Sequence, residues 1–139
     1  MAARTLSLYT FLLTLVLALG ACKKDDFANE TVNELNKLAD DIVAKVKEGD
    51  DRAASIDAAQ KMLDEKRPDL QTKMGEIMEL RGFQVSEETA ANVNKVRTEA
   101  GMKVATLQLD LIAETAGNEE LNKKLEKLTD DFTNLVDGK

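Results

Sequence analysis

The sequence predicts an all-α protein: an antiparallel four-helix bundle-like domain that follows an apolar N-terminal segment. Aromatic residues make up only 4% of the chain, so a core has to be built from Leu, Ile, Val, Met and Ala, which suit helices better than sheets. Apolar residues recur at steps of three and four, the helical period. Short breaks at Gly49, Gly82 and Gly117 separate the segments, and connections this short make consecutive helices antiparallel. These breaks and Pro68 argue against the alternative of one extended coiled coil.

The first 21 residues have the layout of an export signal. Arg4 supplies a positive start, residues 6–19 form an apolar run, and the small residues Gly20 and Ala21 follow. The run is shorter than the roughly 20 apolar residues that span a bilayer. An uncleaved anchor helix is the alternative interpretation.

The end of this segment, Leu19-Gly20-Ala21-Cys22, resembles the lipobox of bacterial lipoproteins. The resemblance covers residues 1–22 and implies that Cys22 receives a diacylglycerol, that a peptidase cuts between Ala21 and Cys22, and that the freed amine is usually acylated. Each buried methylene of such chains contributes about 0.8 kcal/mol, so two or three chains hold a protein firmly at a membrane. We therefore expect a signal peptide at 1–21, a lipidated cysteine with a short spacer at 22–26, and a helical bundle domain at 27–139.

The residue after the cysteine bears on the location. In enteric lipoproteins an aspartate at this position marks retention in the inner membrane; here the residue is Lys23, so the resemblance favours the outer membrane of the bacterial envelope. Cys22 is the only cysteine of the chain. Its acylation excludes disulfides, thiolate zinc sites and thiol nucleophiles from the exported protein.

The first two helices of the domain are predicted at 27–48 and 54–81. Ser55 is the expected cap of the second helix. Its apolar stripe stays in phase across Pro68, which indicates one helix kinked at that residue. Gly82 is expected to end this helix in the left-handed conformation. The two stripes are Ala28, Val32, Leu35, Leu38, Ile42 and Val46, then Ile56, Ala59, Leu63, Leu70, Met74 and Ile77.

The third and fourth helices are predicted at 87–116 and 119–136. Ser86 caps the third helix and Asn118 the fourth, and Gly117 closes the third. The fourth helix carries Leu121, Leu125, Leu128, Phe132 and Leu135 on one face.

The third helix carries more apolar surface than a bundle helix needs. Its first stripe consists of Val93, Val96, Ala100, Val104, Leu107 and Leu111. A second stripe beside it consists of Met102, Ala105, Leu109, Ile112 and Ala116. At about 100° per residue, the two together cover an arc of roughly 220°. We expect Met102, Ala105, Leu109 and Ile112 to form an interaction face.

The composition argues against several classes of function. The chain has no His and no Trp, and its only Tyr is Tyr9, so the exported part lacks the commonest general bases, metal ligands and nucleophiles. We expect no enzyme activity, no cofactor and no metal site, and we interpret the paired acids as caps and solvated surface. With 19 basic against 26 acidic side chains, nucleic acid is not an expected partner.

Two hypotheses of function remain. The first is a structural or protein-interaction module, held at the membrane by lipid on Cys22, whose apolar face packs on a second copy or on another envelope protein. A variant of it links Lys139 to peptidoglycan, as in a small outer-membrane lipoprotein of enteric bacteria that ends in lysine; only that position matches. The second hypothesis is a carrier or chaperone that holds an apolar ligand between helices lined by Met62, Met74, Met78 and Met102.

Overall fold

The computed structural model describes the backbone of residues 2–82 and 84–139 and the side chains of residues 24–82 and 84–139. Within these ranges the chain forms five helices and no strand, which confirms the predicted all-α class. The helices are α1 (Ala2–Glu48), α2 (Arg52–Glu79), α3 (Glu87–Asp110), α4 (Ile112–Thr115) and α5 (Glu119–Val136).

The four long helices pack as the corners of a bundle. Helix α1 packs against α2 and α3, and α5 also packs against α2 and α3. Helices α2 and α3, although consecutive in the chain, therefore lie on opposite corners. The α2–α3 connection therefore joins opposite corners at one end of the bundle.

Contacts between side chains give the helix directions. Asp25 lies next to Ser86 and Lys47 next to Asp110, so α1 and α3 run parallel. Consecutive long helices alternate in direction, as the short connections predict. The crossing of the α2–α3 connection nevertheless makes two neighbouring pairs parallel, α1 with α3 and α2 with α5.

The core is aliphatic with one aromatic ring. Phe132 is the largest fully buried side chain of the described residues, and the apolar stripes predicted from the sequence surround it. Burial of such stripes is the main source of helix stability in a bundle. The buried residues include Val32, Leu35, Ile42, Val46, Ile56, Leu63, Met74, Val104, Leu107, Leu125, Leu128 and Leu135.

The start of α2 differs from the prediction. Asp51 is the N-cap, and its Oδ1 accepts a hydrogen bond of 3.1 Å from the Ala54 N–H. Ser55, predicted as the cap, is buried in the first turn and donates its hydroxyl to the Asp51 carbonyl at 2.8 Å. A carboxylate at this position also interacts favourably with the positive end of the helix dipole. Further along, α2 continues through Pro68 as one helix, as predicted; the kink at Pro68 stays a prediction.

The end of α2 also differs from the prediction, which placed it at residue 81. The helix stops at Glu79 because Leu80 adopts an extended conformation with φ −63° and ψ 135°, and the Leu80 N–H donates to the Ile77 carbonyl. Among the described residues the positive φ angles belong to Gly117 and Gly138, at 90° and 70°. The prediction of a left-handed Gly82 is therefore wrong.

The third predicted helix is broken near its end. Helix α3 stops at Asp110, Leu111 has φ −103° and ψ 9°, and the short α4 follows. Leu111 and Thr115 are both buried, so the break keeps this segment against the core. The caps Ser86 and Asn118 are confirmed by hydrogen bonds of 3.1 Å from Thr89 N–H and Leu121 N–H.

Candidate interaction face

Four apolar residues lie on the outer surface of the bundle. We name them the apolar strip: Met102, Ala105 and Leu109 on α3, and Ile112, the first residue of α4. Their spacings of three and four place Met102, Ala105 and Leu109 on one side of α3, and Ile112 follows the break at Leu111. The exposed fractions are 65% for Met102, 68% for Leu109 and 62% for Ile112, and Ala105 is exposed as well.

The apolar strip is exposed because α3 uses its other side for the core. Ala100, Val104 and Leu107 are buried against the neighbouring helices α1 and α5. The wide apolar arc predicted from the sequence is therefore divided into a buried face and an exposed face. Among the described side chains, Met78 is the other large hydrophobic residue with comparable exposure.

Ion pairs border the strip on the α1 side. Lys103 Nζ lies 2.6 Å from Asp40 Oδ1, and it also donates to Asn36 Oδ1 at 2.9 Å. Further along, Lys47 Nζ lies 2.6 Å from Asp110 Oδ2. Each of these charges is matched within the same chain, so this border carries little excess charge. Exposed pairs of this kind each contribute about 0.2–1 kcal/mol to stability.

A third pair closes the distal end of this border. Arg52 Nε donates to Glu114 Oε2 at 2.8 Å, and Arg52 also donates to the Val46 carbonyl. The hydrogen bond from Arg52 lowers the pKa of Glu114, and the bond to Glu114 raises the pKa of Arg52. Arg52 thereby joins the start of α2 and the end of α1 to α4.

Amide, hydroxyl and carboxylate groups border the strip on the α5 side. Gln108 Nε2 donates to Thr129 Oγ1 at 2.6 Å. Gln108, which falls inside the predicted apolar arc, is exposed and finds this partner on α5. Beside the strip lies an open groove of about 290 Å³, whose walls include Asn122 and Glu126.

The methionines of the carrier hypothesis do not share a cavity. Met74 is fully buried in the core, and Met102 stands on the outer surface. Met62 borders a groove of about 350 Å³ between α1 and α2 whose walls are largely charged, whereas Met78 borders a separate groove of about 200 Å³. The structure gives no geometric support to one apolar ligand held by all four.

The predicted anchor lies outside the described side chains. Ala21 and Cys22 precede Lys24, the first residue whose side chain is described, and Phe83 is also outside the described residues. Among the residues with described side chains, no helix is both long enough and apolar enough to cross a membrane. The same residues contain no cluster of three or more metal-ligating acidic side chains.

Comparisons with known proteins add no relative. No protein family matches the chain, and neither a curated protein nor a solved structure matches it. The class of protein is therefore defined by its own architecture, an all-α helical bundle. The feature that distinguishes this bundle is the exposed apolar strip along α3 and α4.

The sequence predicts the residues of the apolar strip but not the ion pairs that border it. Helical periodicity is enough to place Met102, Ala105, Leu109 and Ile112 on one face. The pairing of Lys103 with Asp40 and of Arg52 with Glu114 depends on which helices are neighbours, and the sequence carries no direct signal of that arrangement.

Proposed function

We propose that this protein is a lipid-anchored lipoprotein of the bacterial envelope that acts as a non-enzymatic, structural or protein-interaction module. Cys22 carries the acyl chains and holds the bundle at the membrane, with the outer membrane as its location. The apolar strip is the surface through which the bundle meets a protein partner. The exposure of Met102, Leu109 and Ile112 is the observation that carries the interaction half of this proposal.

The contrast between the buried face of α3 and its exposed apolar strip supports the strip as a surface that contacts a partner. Exposed large hydrophobic residues gain nothing from folding, and a contiguous apolar patch in a soluble domain commonly marks an interaction site. The same helix buries Ala100, Val104 and Leu107, so the strip is not needed to hold α3 in the bundle.

The anchor rests on the resemblance of residues 19–22 to the lipobox. Metabolic labelling with palmitate in a bacterial host tests it: the wild-type chain is expected to incorporate label and to fractionate with outer membranes. Cys22→Ser is expected to lose the label. Equal labelling of both chains, or of neither, contradicts the anchor.

The interaction half is tested with a photo-crosslinking amino acid in intact membranes. We expect adducts to form when the probe replaces Leu109 on the strip. The matched control replaces Ala58, which is exposed on α2, and is expected to give none. Equal adduct yields at the two positions would count against the strip as a contact surface, whatever the state of Cys22.

A further inference from the structure

We infer that the partner of the apolar strip is a second copy of this chain, docked with the two α3 helices parallel and in register. This inference rests on the proposed function, because the lipid anchor sets the relative orientation of the copies. Four observations support it: the heptad spacing of the strip, its uncharged edges, the direction of α3 relative to the anchored helix, and the distance of the strip from the membrane.

The strip has the spacing of a coiled-coil seam. Met102 and Leu109 are seven residues apart, as are Ala105 and Ile112. With Met102 at position a of the heptad, Ala105 is d and Leu109 the next a on α3; Ile112 has the next d position in the sequence but lies in α4, beyond the break at Leu111. Two identical helices with apolar a and d residues pack by inserting the side chains of one between those of the other.

The edges of this seam are free of charge. The residues at the flanking e and g positions are Gly101, Thr106, Gln108 and Ala113. In a parallel pair each g residue faces the e residue five positions later on the partner, so Gly101 meets Thr106 and Gln108 meets Ala113. The protein carries a net charge of −7, which repels two copies at most surfaces. The seam is a place where that repulsion is weak.

On the α1 side the nearby charges are matched within each copy; on the α5 side the Glu126 carboxylate lines the groove beside the apolar strip. Lys103 and Asp110, which come next on the α1 side, are each paired within their own chain, with Asp40 and Lys47 respectively. A charged partner would find few unmatched charges on this border of the strip. A second copy needs none, because it presents the same apolar residues.

The anchor fixes the direction of the pairing. Helices α1 and α3 run parallel, and Cys22 lies two residues before Lys24 on the α1 side. Copies held in one membrane by Cys22 are related by rotation about the membrane normal, and this rotation leaves two α3 helices parallel. An antiparallel pair would direct the two anchors away from each other.

The strip is also remote from the membrane surface. Lys103 contacts Asp40, which lies sixteen residues after Lys24 along α1, or roughly 24 Å at the rise of a helix. The membrane that holds Cys22 is therefore not the surface that covers the strip. The half of α3 nearer the anchor offers Lys95, Thr98 and Glu99 to solvent, which confines the contact to the distal half.

The contact is short, which explains why the anchor matters. The strip spans about 15 Å of helix and consists of four side chains, which is too few to bury the roughly 1,200–2,000 Å² that a stable complex in solution normally buries. Two copies in the same membrane have a high effective concentration, and this compensates for a small interface.

Disulfide crosslinking of the full chain in bacterial membranes tests the inference. Ala105 occupies a d position, where the two copies face each other only in a parallel, in-register pair. We expect Ala105→Cys to give at least tenfold more disulfide-linked dimer than Ala58→Cys, which places the cysteine on the exposed side of α2. Adding Leu109→Glu to Ala105→Cys is expected to reduce the dimer at least tenfold.

Other outcomes overturn the inference. A dimer that forms only when chains carrying Ala105→Cys and Leu109→Cys are mixed indicates antiparallel pairing. If Ala105→Cys forms a disulfide with a different protein, the strip has another partner. The inference of a second copy is then wrong, while the proposed function stands. No dimer above the Ala58→Cys level, with Cys22 acylated, also overturns it. If the wild-type chain forms disulfide-linked dimers through Cys22, the Cys22 thiol is not acylated and the proposed lipid anchor is wrong.

Discussion

Replacing Gly49 with alanine is expected to destabilise the bundle at the α1–α2 turn. A Cβ at Gly49 would lie 1.7 Å from Ser55 Oγ and 2.9 Å from Ser55 Cβ. Ser55 is poorly able to move aside, because it is buried and its hydroxyl donates to the Asp51 carbonyl at 2.8 Å. Overpacking of this kind costs about 1–3 kcal/mol, a sizeable part of the roughly 5–15 kcal/mol by which a typical domain is stable.

The assay is urea unfolding of the purified protein in mild detergent, followed by circular dichroism. A lower midpoint with an unchanged slope reports lost stability. The matched control is Gly75→Ala, because a Cβ at Gly75 has no neighbour within 4 Å and the residue lies inside α2. Alanine there is expected to raise stability by about 0.5–1 kcal/mol through its better helix propensity.

A double-mutant cycle isolates the clash. Ser55→Ala removes the hydroxyl that the new methyl group at position 49 would meet, so the cost of Gly49→Ala is expected to fall by about 1 kcal/mol or more in that background. If Gly49→Ala costs the same with and without the Ser55 hydroxyl, or if it stabilises the protein, the steric reasoning is wrong.

Three further predictions concern the core, a cap and an ion pair. Phe132→Ala removes the largest fully buried side chain and is expected to cost about 3–5 kcal/mol in urea unfolding; a cost under about 1 kcal/mol would contradict the described core. Asn118→Ala is expected to cost about 1 kcal/mol and Asn118→Gly only a few tenths, because glycine is also accepted at an N-cap; an Asn118→Ala variant as stable as the wild type would show that the side-chain cap is unimportant. Burial raises the pKa of Asp131, but hydrogen bonds from Lys127 and Gln60 and nearby positive charge outweigh it and leave the pKa below its ordinary value. The stabilisation from ionised Asp131 is therefore complete above its unfolded pKa and is lost as pH falls through the lower folded value, so Asp131→Asn is expected to flatten the acid limb of a stability–pH curve; an unchanged limb would refute this.

Much of the fold could be predicted from the sequence because the relevant signals are local. The apolar stripes that end at Val46, Ile77 and Leu135 predict three helices. The structure confirms that the helix faces carrying these stripes are buried. Ser86 and Asn118 identify two helix starts correctly, because a side-chain oxygen followed by helix-forming residues satisfies free N–H groups within a single turn.

The errors occur where local signals compete or where tertiary contacts decide. Asp51 and Ser55 are both plausible caps, and the carboxylate takes the role while Ser55 is buried. The break at Leu111 has neither Gly nor Pro to mark it. The diagonal placement of α2 and α3 depends on how the helices bury their faces together, which helical periodicity does not encode.

The same distinction applies to the interaction face. Periodicity predicts that Met102, Ala105, Leu109 and Ile112 share one side of a helix. It does not tell which of two apolar faces the bundle covers, because that depends on the number and position of neighbouring helices. The structure leaves this face exposed, with Lys103 paired at its border.

The central claim is that Cys22 is a lipid anchor for the bundle. Its most direct test is the intact mass of the protein extracted from bacterial membranes, for the wild type and for Cys22→Ala. A lipid anchor at Cys22 predicts a wild-type mass equal to residues 22–139 plus glycerol and two or three acyl chains, and the loss of this species in the variant. The full unmodified chain in both samples, or a wild-type chain with a free Cys22 thiol, would show that Cys22 is not a lipid anchor.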